Sequence, residues 1–514
     1  MNVRKVFAKN TGFGQIIDGP IEKSPEREAI VFGNWRITYG EFGSLIYKTA
    51  HMMLSEGIRK GDTVAIISRN CPEYLIAEFA MYKLGVIPVK INWRLTPGEI
   101  ESLLDMNQVR YAFMKIEKPE WGQQLMEHYG SRLKFFIFED GRSRSSLYDM
   151  VEGQPDTPVE TELADDEPSC HVHTSGTTGK AKGVVYTHGS MLNLIETVRG
   201  MYGYEEGQRY QFIAQLFHSA AIGAHLSLCT GGTIILMAQF SVTNYMQSLV
   251  REKVTAISVV PTVLKWILDE MDRNHYDLSN ISVVRYSTCP IPAVLLARAV
   301  DKLHCRFYQS YGMTEMGSIV TTLQPEDHLS SRASKLSTVG RPIPGAEVKI
   351  VDEGGKECAV GETGEIVVKA PGKMLGYLSR PDLNAKAFTD GWYHTRDMGF
   401  LDEDGYLTIS GRADDLIISG GENIYPGEVT NVIMRLNEDV SEVAVYGVPD
   451  DTWGEHVKAS VVLTPESKLT AEELKAFCKA NMPSFRVPKE IEFLSSLPKN
   501  PSGKVLISEL KKRG

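Results

Sequence analysis

The sequence has no CxxC pair: its seven cysteines, Cys71, Cys170, Cys229, Cys289, Cys305, Cys358 and Cys478, are scattered and odd in number. That argues against a disulfide framework or a zinc module and sets the expectation of a reducing compartment, the cytoplasm. Positive charge is also scarce. With 55 Lys and Arg against 65 Asp and Glu, a formal net charge of -10, broad binding to nucleic acid or an anionic membrane is disfavoured, although a local cationic pocket is allowed. Nor is there an apolar run of the roughly 20 residues that a membrane span takes. The best candidate, residues 212–240, is broken by Gln215, His218, His225, Gly231, Gly232 and Gln239, and it reads as buried strands and a helix. The first residues, MNVRKVFAKNTGFGQIIDG, lack the apolar core and small-residue cleavage site of a secretory signal, so export is not expected. Internal repeats and low-complexity tracts are missing too.

What remains is an ordinary globular composition, 42% apolar and 23% charged over 514 residues. Domains run to about 100–200 residues, so several cores are expected. Between residues 38 and 92 a helical run (YGEFGSLIYKTAHMMLSEG), an apolar run (DTVAII), a second helical run (PEYLIAEFAMYKLG) and a second apolar run (VIPVKIN) follow one another. That is the grammar of a βαβ unit. The alternation returns in GTIILMA, VTNYMQSLVREK, AISVV, a helix opening at Pro261, and SVVRYS, which predicts a second α/β unit with parallel strands covered on both faces. After about Gly340 the pieces AEVKIVD, GEIVVKA and YLTIS, separated by DEGG and DEDG, predict a small β subdomain. Beyond Gly411 come the polar turn RADD, a glycine pair, a helix at about 426–437, strands EVAVYGV and VKASVVL, a helix at 470–480 and a lysine-rich tail. The expected fold class is therefore a large α/β N-terminal domain, residues 1–413, holding two α/β subdomains and the small β subdomain. A small α+β C-terminal domain, residues 414–514, follows it.

The stretch HTSGTTGKAKG at 173–183 packs three glycines, four hydroxyl side chains and two lysines into eleven positions. A Walker A loop needs G-x-x-x-x-G-K-[ST], but Thr174 stands where its first glycine belongs and Ala181 follows Lys180. The loop lies between two strand-like segments, CHVHT and GVVYT, and so reads as a glycine hairpin at a sheet edge. Its backbone N–H groups, the hydroxyls of Thr174, Ser175, Thr177 and Thr178, and the charge of Lys182 could clamp phosphate. A polar surface turn is the alternative. The pair His171 and His173 has HxH spacing without a cysteine or acidic partner nearby, and is read as core rather than metal site.

TSGTTGKAKGV at 174–184 closely resembles the phosphate loop of the adenylate-forming superfamily, which includes acyl-CoA synthetases, aryl-CoA ligases, luciferases and peptide-synthetase adenylation domains. Other stretches resemble further motifs of that superfamily in the same order. They are INWRLTPGEI at 91–100, LFHSAA at 216–221, YQSYGMTE at 308–315, YHTRDMG at 393–399, GRADDLIISGGENIYPGEV at 411–429 and PKNPSGKV at 498–505. The resemblance is greatest to an acyl-CoA synthetase. It implies that a carboxylate attacks the α-phosphate of Mg-ATP to give acyl-AMP and pyrophosphate, and that the thiol of CoA then takes the acyl group. ATP, Mg2+, CoA and a small carboxylic acid are the implied partners.

Carried over by resemblance, Thr174, Ser175, Gly176, Thr177, Thr178, Gly179 and Lys182 hold the outer phosphates, Thr314 contacts the α-phosphate and Glu315 is the magnesium ligand, a hard oxygen donor for a hard cation. Gln309, Ser310 and Tyr311 line the adenine and acyl pocket. Asp397 and Arg412 match the ribose carboxylate and its partner, and His218 the gate between acyl pocket and thiol tunnel. Lys504 is implied to bridge carboxylate and α-phosphate during adenylation. Asp414 matches the hinge of a mobile C-terminal domain, whose rotation would withdraw Lys504 and bring Gly420, Gly421 and Asn423 to the pantetheine tunnel. Three positions depart from the pattern: STCP at 287–290 replaces a glycine-alanine run around adenine, Gln215 a proline, and Arg396 a glycine. The small residues SAAIGA and the wall at 311–313 are compatible with a medium aliphatic or an aromatic acid. Ten residues follow Lys504, leaving no room for a carrier domain, which weighs against an adenylation enzyme that loads a separate carrier protein. A non-enzymatic nucleotide-sensing scaffold is the alternative of another kind, and the presence of Lys504 and Glu315 speaks against it. A homodimer is common in the superfamily, although no residue here demands one.

Overall fold

Thr38 starts helix Tyr39–Ser55 by a reciprocal cap: its hydroxyl accepts the Glu41 N–H while the Glu41 carboxylate accepts the Thr38 N–H, so two orphan donors are satisfied at once. The computed structural model describes residues 11–115, 118–138, 146–159, 161–175, 181–237, 239–288, 291, 293–420, 422–436, 438–499 and 505–513. Gly176, Thr177, Thr178, Gly179, Lys180, Cys289, Pro290, Gly421 and Lys504 lie outside the described residues, as do the side chains of Ser175 and Asn423. From the Thr38 cap the chain runs through helix Tyr39–Ser55, strand Thr63–Ser68, helix Pro72–Leu84 and strand Ile87–Ile91, the βαβ order that the patterning predicts. Pro72 sits at a first-turn position where no N–H is missed, and Gly85, at φ +66, closes the helix in the left-handed conformation. Every residue of Pro72–Leu84 is buried, so its charged side chains need partners inside; Lys83 takes Asp18.

Among the described residues the strands form two large sheets and two small ones. The first large sheet runs Gly376–Tyr377, Ala181–Thr187, Pro168–Ser175, Ile87–Ile91, Thr63–Ser68, Tyr111–Lys115, Lys134–Ile137, with the last five strands parallel. The strands on either side of the glycine stretch pair antiparallel, with Thr174 opposite Lys182. The hairpin does not end the sheet: Gly376–Tyr377 pairs with Val184 and Val185 and covers that edge. The second large sheet centres on parallel strands Arg306–Tyr311, Val283–Ser287, Ala256–Val259, Arg209–Phe212, Thr233–Leu236 and Glu28–Phe32. Its last parallel strand comes from far away in sequence, with Ile30 opposite Ile234. The stretch 212–240 is not a span: it holds the Thr233–Leu236 strand and the buried helix Ile222–Cys229.

A small antiparallel sheet of Glu347–Val351, Gly364–Lys369, Trp392–Leu401 and Leu407–Arg412 follows. The last sheet, with strands Ile417–Ser419, Glu422–Ile424, Val440–Asp450, Gly454–Leu463 and Glu490–Phe493, is covered by helices Pro426–Ile433 and Ala471–Asn481 around a core of its own that includes Ile417, Val429, Val445, Val461 and Leu474. The architecture is thus a large α/β domain followed by a small α+β domain. Helix Pro426–Ile433 stops short of the predicted 437, because the chain turns at Met434 to Leu436. Among the described residues no helix is long and apolar enough to cross a membrane, and the six described cysteines are free thiols.

Candidate active site

Strand Arg306–Tyr311 ends at the YGMTE segment, where a short turn, Thr314–Met316, is closed by Gly317 at φ +75. A Cβ on Gly317 would lie 2.8 Å from Leu194 and 2.9 Å from the Gly372 backbone, so only glycine lets the two chains approach here. Two hydroxyls from other elements fix the turn. Tyr186, on the far strand of the glycine hairpin, donates to the Thr314 carbonyl, and the Ser219 hydroxyl, just after His218, lies 3.2 Å from Thr314 Oγ1.

Glu315 points to a pair of tyrosines. Tyr377 Oη donates to Glu315 Oε1 at 2.8 Å and lies 3.2 Å from Tyr393 Oη; the Glu315 carbonyl also accepts the Met374 N–H. Burial, and then the Glu315 charge, raise both tyrosine hydroxyls' pKa values, which keeps them protonated as donors. Lys182 Nζ stands 5.4 Å from the Tyr377 ring centroid. The cationic end of the hairpin and the Glu315 carboxylate therefore meet around one phenol ring. No group of three metal-binding side chains occurs among the described residues. A single carboxylate suits magnesium carried on phosphate oxygens, which keeps most of its water, rather than a protein cage.

Asp397 and Arg412 face each other across strands Trp392–Leu401 and Leu407–Arg412, with Nε to Oδ1 at 3.1 Å. Tyr311 Oη donates to Asp397 Oδ2 at 2.6 Å, and the Asp397 N–H donates to Thr395 Oγ1. Tyr311 is thus tied to the ribose-motif carboxylate. Ser310 and Gln309, on the same strand, are buried, and Gln309 Oε1 has no partner among the described residues. Arg396, where the superfamily pattern has glycine, takes φ +63 and reaches Asp414 Oδ1 at 2.9 Å. Gln215 accepts the Trp93 indole N–H and so joins the INWRLTPGEI segment to LFHSAA. Burial lowers the His218 pKa and keeps the ring neutral.

The structure brings together Thr314, Glu315, Tyr311, Asp397, Arg412, Lys182 and the Thr174 backbone. Gly420 lies in the small domain, at φ +61 with its N–H on the Trp453 carbonyl, and the Asn423 backbone is in strand Glu422–Ile424. Sequence reasoning overlooked Ser219, Tyr186, Tyr377 and Tyr393. Ser219 and Tyr393 sit inside stretches quoted above, whereas nothing near Tyr377 marks it. His171 and His173 both contact Asn107, at 2.8 and 2.9 Å, and burial holds the His171 pKa down to about 4.

Two α/β sheets with a small mixed domain, and a site that gathers Lys182 of the glycine hairpin, Glu315 and the Asp397–Arg412 pair, define an adenylate-forming enzyme. The AMP-binding enzyme model matches residues 18–378 and the AMP-binding enzyme C-terminal domain model residues 428–504; the chain belongs to this family. It is 34% identical over 508 residues to the feruloyl-CoA synthase of an Amycolatopsis species, covering 98% of this chain and 99% of that enzyme. It is 33% identical over 494 residues to the 2-succinylbenzoate–CoA ligase of Bacillus subtilis, covering 95% of each. Among solved structures it is similar to the Bacillus subtilis o-succinylbenzoate CoA synthetase in complex with the acyl-adenylate intermediate OSB-AMP, with a TM-score of 0.84 and 31% identity over 97% of this chain and 98% of that one.

Proposed function

We propose that this protein is an ATP-dependent carboxylic acid–CoA ligase. A carboxylate oxygen attacks the α-phosphorus of ATP and pyrophosphate leaves; the CoA thiol then attacks the acyl-AMP carbonyl and AMP leaves. The observation that carries this reading is the convergence of Lys182 and Glu315 on Tyr377, with Glu315 four residues along the chain from Tyr311, which pairs with Asp397. One cluster neutralises phosphate charge while the other fixes the nucleoside. Two anions must meet in the first step, so positioning and neutralisation are the catalytic tasks.

Lys182 and the hairpin hydroxyls hold the outer phosphates and the departing pyrophosphate. The Thr314 hydroxyl, set by Ser219, contacts the α-phosphate. Glu315, held by Tyr377, takes the magnesium that arrives with the nucleotide, which supplies charge neutralisation at the phosphates. Asp397 accepts the ribose hydroxyls, with Arg412 beside it, and Gln309 and Ser310 face adenine and acyl group. Lys504 bridges the two anions in the first step. Rotation at Asp414, released from Arg396, then exchanges Lys504 for the face with Gly420, Gly421 and Asn423, where the two side-chain-free glycines let the pantetheine thiol pass His218. Residues 414–514 are the moving domain. The free cysteines support a cytoplasmic setting.

The test is acid-dependent pyrophosphate release and CoA-thioester formation with ATP and Mg2+ across acetate, octanoate, palmitate, benzoate and coumarate. Both products are expected with at least one acid. Acyl-AMP that never passes to CoA would favour carrier loading, and no acid-dependent pyrophosphate would favour a nucleotide sensor.

A further inference from the structure

Helix Pro72–Leu84, strand Ile87–Ile91 and helix Ile222–Cys229 bring three ionisable side chains together in the interior. Glu78, Lys90 and His225 are 0%, 3% and 0% exposed. The Lys90 ammonium is paired with Glu78 Oε1, Tyr82 Oη donates to the same oxygen at 2.9 Å, and His225 Nε2 lies 3.1 Å from Oε2. Burial raises the Glu78 pKa, but the Lys90 charge and the hydrogen bond from His225 outweigh it and hold it well below the usual carboxylate range. Removing such ions from water costs several kcal/mol each, and apolar residues of like volume commonly pack as well or better. Packing is therefore a poor reason for the cluster.

The cluster is not closed on itself. A carboxylate opposite Nε2 requires that nitrogen to carry the proton, and burial lowers the imidazole pKa and keeps it neutral. Nδ1 is then a bare acceptor, and it has no partner among the described residues. Lys90 has three N–H donors, of which Glu78 engages one. Both Lys90 and His225 line a cavity whose other walls include Tyr186, Leu194, Ser219 and Ile222. Ser219 and Tyr186 are the residues that fix Thr314, so this cavity adjoins the segment assigned to the α-phosphate. It joins apolar walls to Lys90, which keeps two donors that Glu78 does not engage, and to His225.

We propose that this cavity is the far end of the acyl pocket, and that Lys90 and His225 read a hydroxyl there: its oxygen accepts from the ammonium and its hydrogen goes to His225 Nδ1. The substrate class is a carboxylic acid, aromatic or aliphatic, with a hydroxyl at its distal end. This rests on the ligase reading of the same site. A methyl or hydrogen in that place leaves both groups unpaired, and a second carboxylate meets the imidazole lone pair.

The experiment compares kcat/KM for CoA-thioester formation, using the full chain, for 4-hydroxycinnamate against cinnamate and 8-hydroxyoctanoate against octanoate. In at least one pair the hydroxylated acid is expected to be preferred by about a hundredfold or more, because a site built to bond a hydroxyl rejects its deoxy analogue strongly. His225→Phe, which fits among the edge-on rings of Phe13, Phe79 and Tyr82, should bring that ratio towards one. So should Lys90→Met combined with Glu78→Gln. A purely structural cluster would slow both members of a pair alike and leave the ratio unchanged. Should the variants not fold, the wild-type ratios decide. Equal rates within both pairs, or turnover only of acids without a hydroxyl, overturn the hydroxyl reading and leave the ligase standing; absence of acid-dependent pyrophosphate release with these acids and the earlier panel overturns both.

Discussion

Glu315 is held in place by its neighbours, since its Oε1 accepts from Tyr377 and its backbone carbonyl accepts from Met374. Glu315→Gln keeps the shape and removes the charge. Acid-dependent pyrophosphate release should fall by about a hundredfold or more, the scale of losing one preorganised electrostatic partner at a reacting phosphate. Tyr377→Phe only frees the carboxylate to turn, so a smaller loss of about 10- to 100-fold is expected, and part of it should be recovered at high Mg2+. Two histidines set an acid limit on the fold. Burial lowers the pKa values of His171 and His188 from 6.5 to about 4. Between those values the unfolded chain binds protons that the folded chain refuses, so stability is full above about pH 6.5 and falls as the pH drops towards 4. Urea unfolding at pH 7.5 and pH 5 should show the lower midpoint at pH 5; an unchanged or higher midpoint would contradict the assignment.

The glycine hairpin and the Thr314–Met316 turn are the elements that make the site. The hairpin is set by strand pairing, Thr174 opposite Lys182, and the turn by Gly317. Gly317→Ala adds a Cβ 2.8 Å from Leu194 at a positive φ, which should destabilise the protein by about 1–3 kcal/mol. Because the turn carries Thr314 and Glu315, pyrophosphate release should fall further than the lost stability explains. Thermal unfolding, with activity measured well below the midpoint, separates the two effects.

The whole molecule must perform two reactions at one site, and the ion pair between Arg396 and Asp414 spans the proposed hinge. Lys504→Ala should sharply slow adenylation while sparing thioester formation from supplied acyl-AMP. Asp414→Pro, which fixes φ near −65°, should do the reverse: pyrophosphate release continues and thioester yield collapses. Equal loss of both half-reactions in both variants would contradict domain alternation.

Much of this was local and hence legible. Periodicity gave the helices at 39–55 and 72–84 and the strands between them, because amphipathic and apolar runs report their own burial. Motif resemblance singled out Glu315, Asp397 and Arg412, because each motif is a short contiguous run of the chain. What no local pattern carries is proximity between distant segments. Ile30 pairs with Ile234, Gly376–Tyr377 covers the phosphate hairpin, and Tyr377 reaches Glu315 across 62 positions. Glu78 looks like an ordinary polar position in a helix, and Lys90 an interruption in an apolar strand. The sequence by itself determined the α/β units, the family and the reaction class. Only the tertiary structure decided that Glu78, Lys90 and His225 share one interior site, since hydrogen bonds and charge pairs act over a few ångströms of space whatever the distance along the chain.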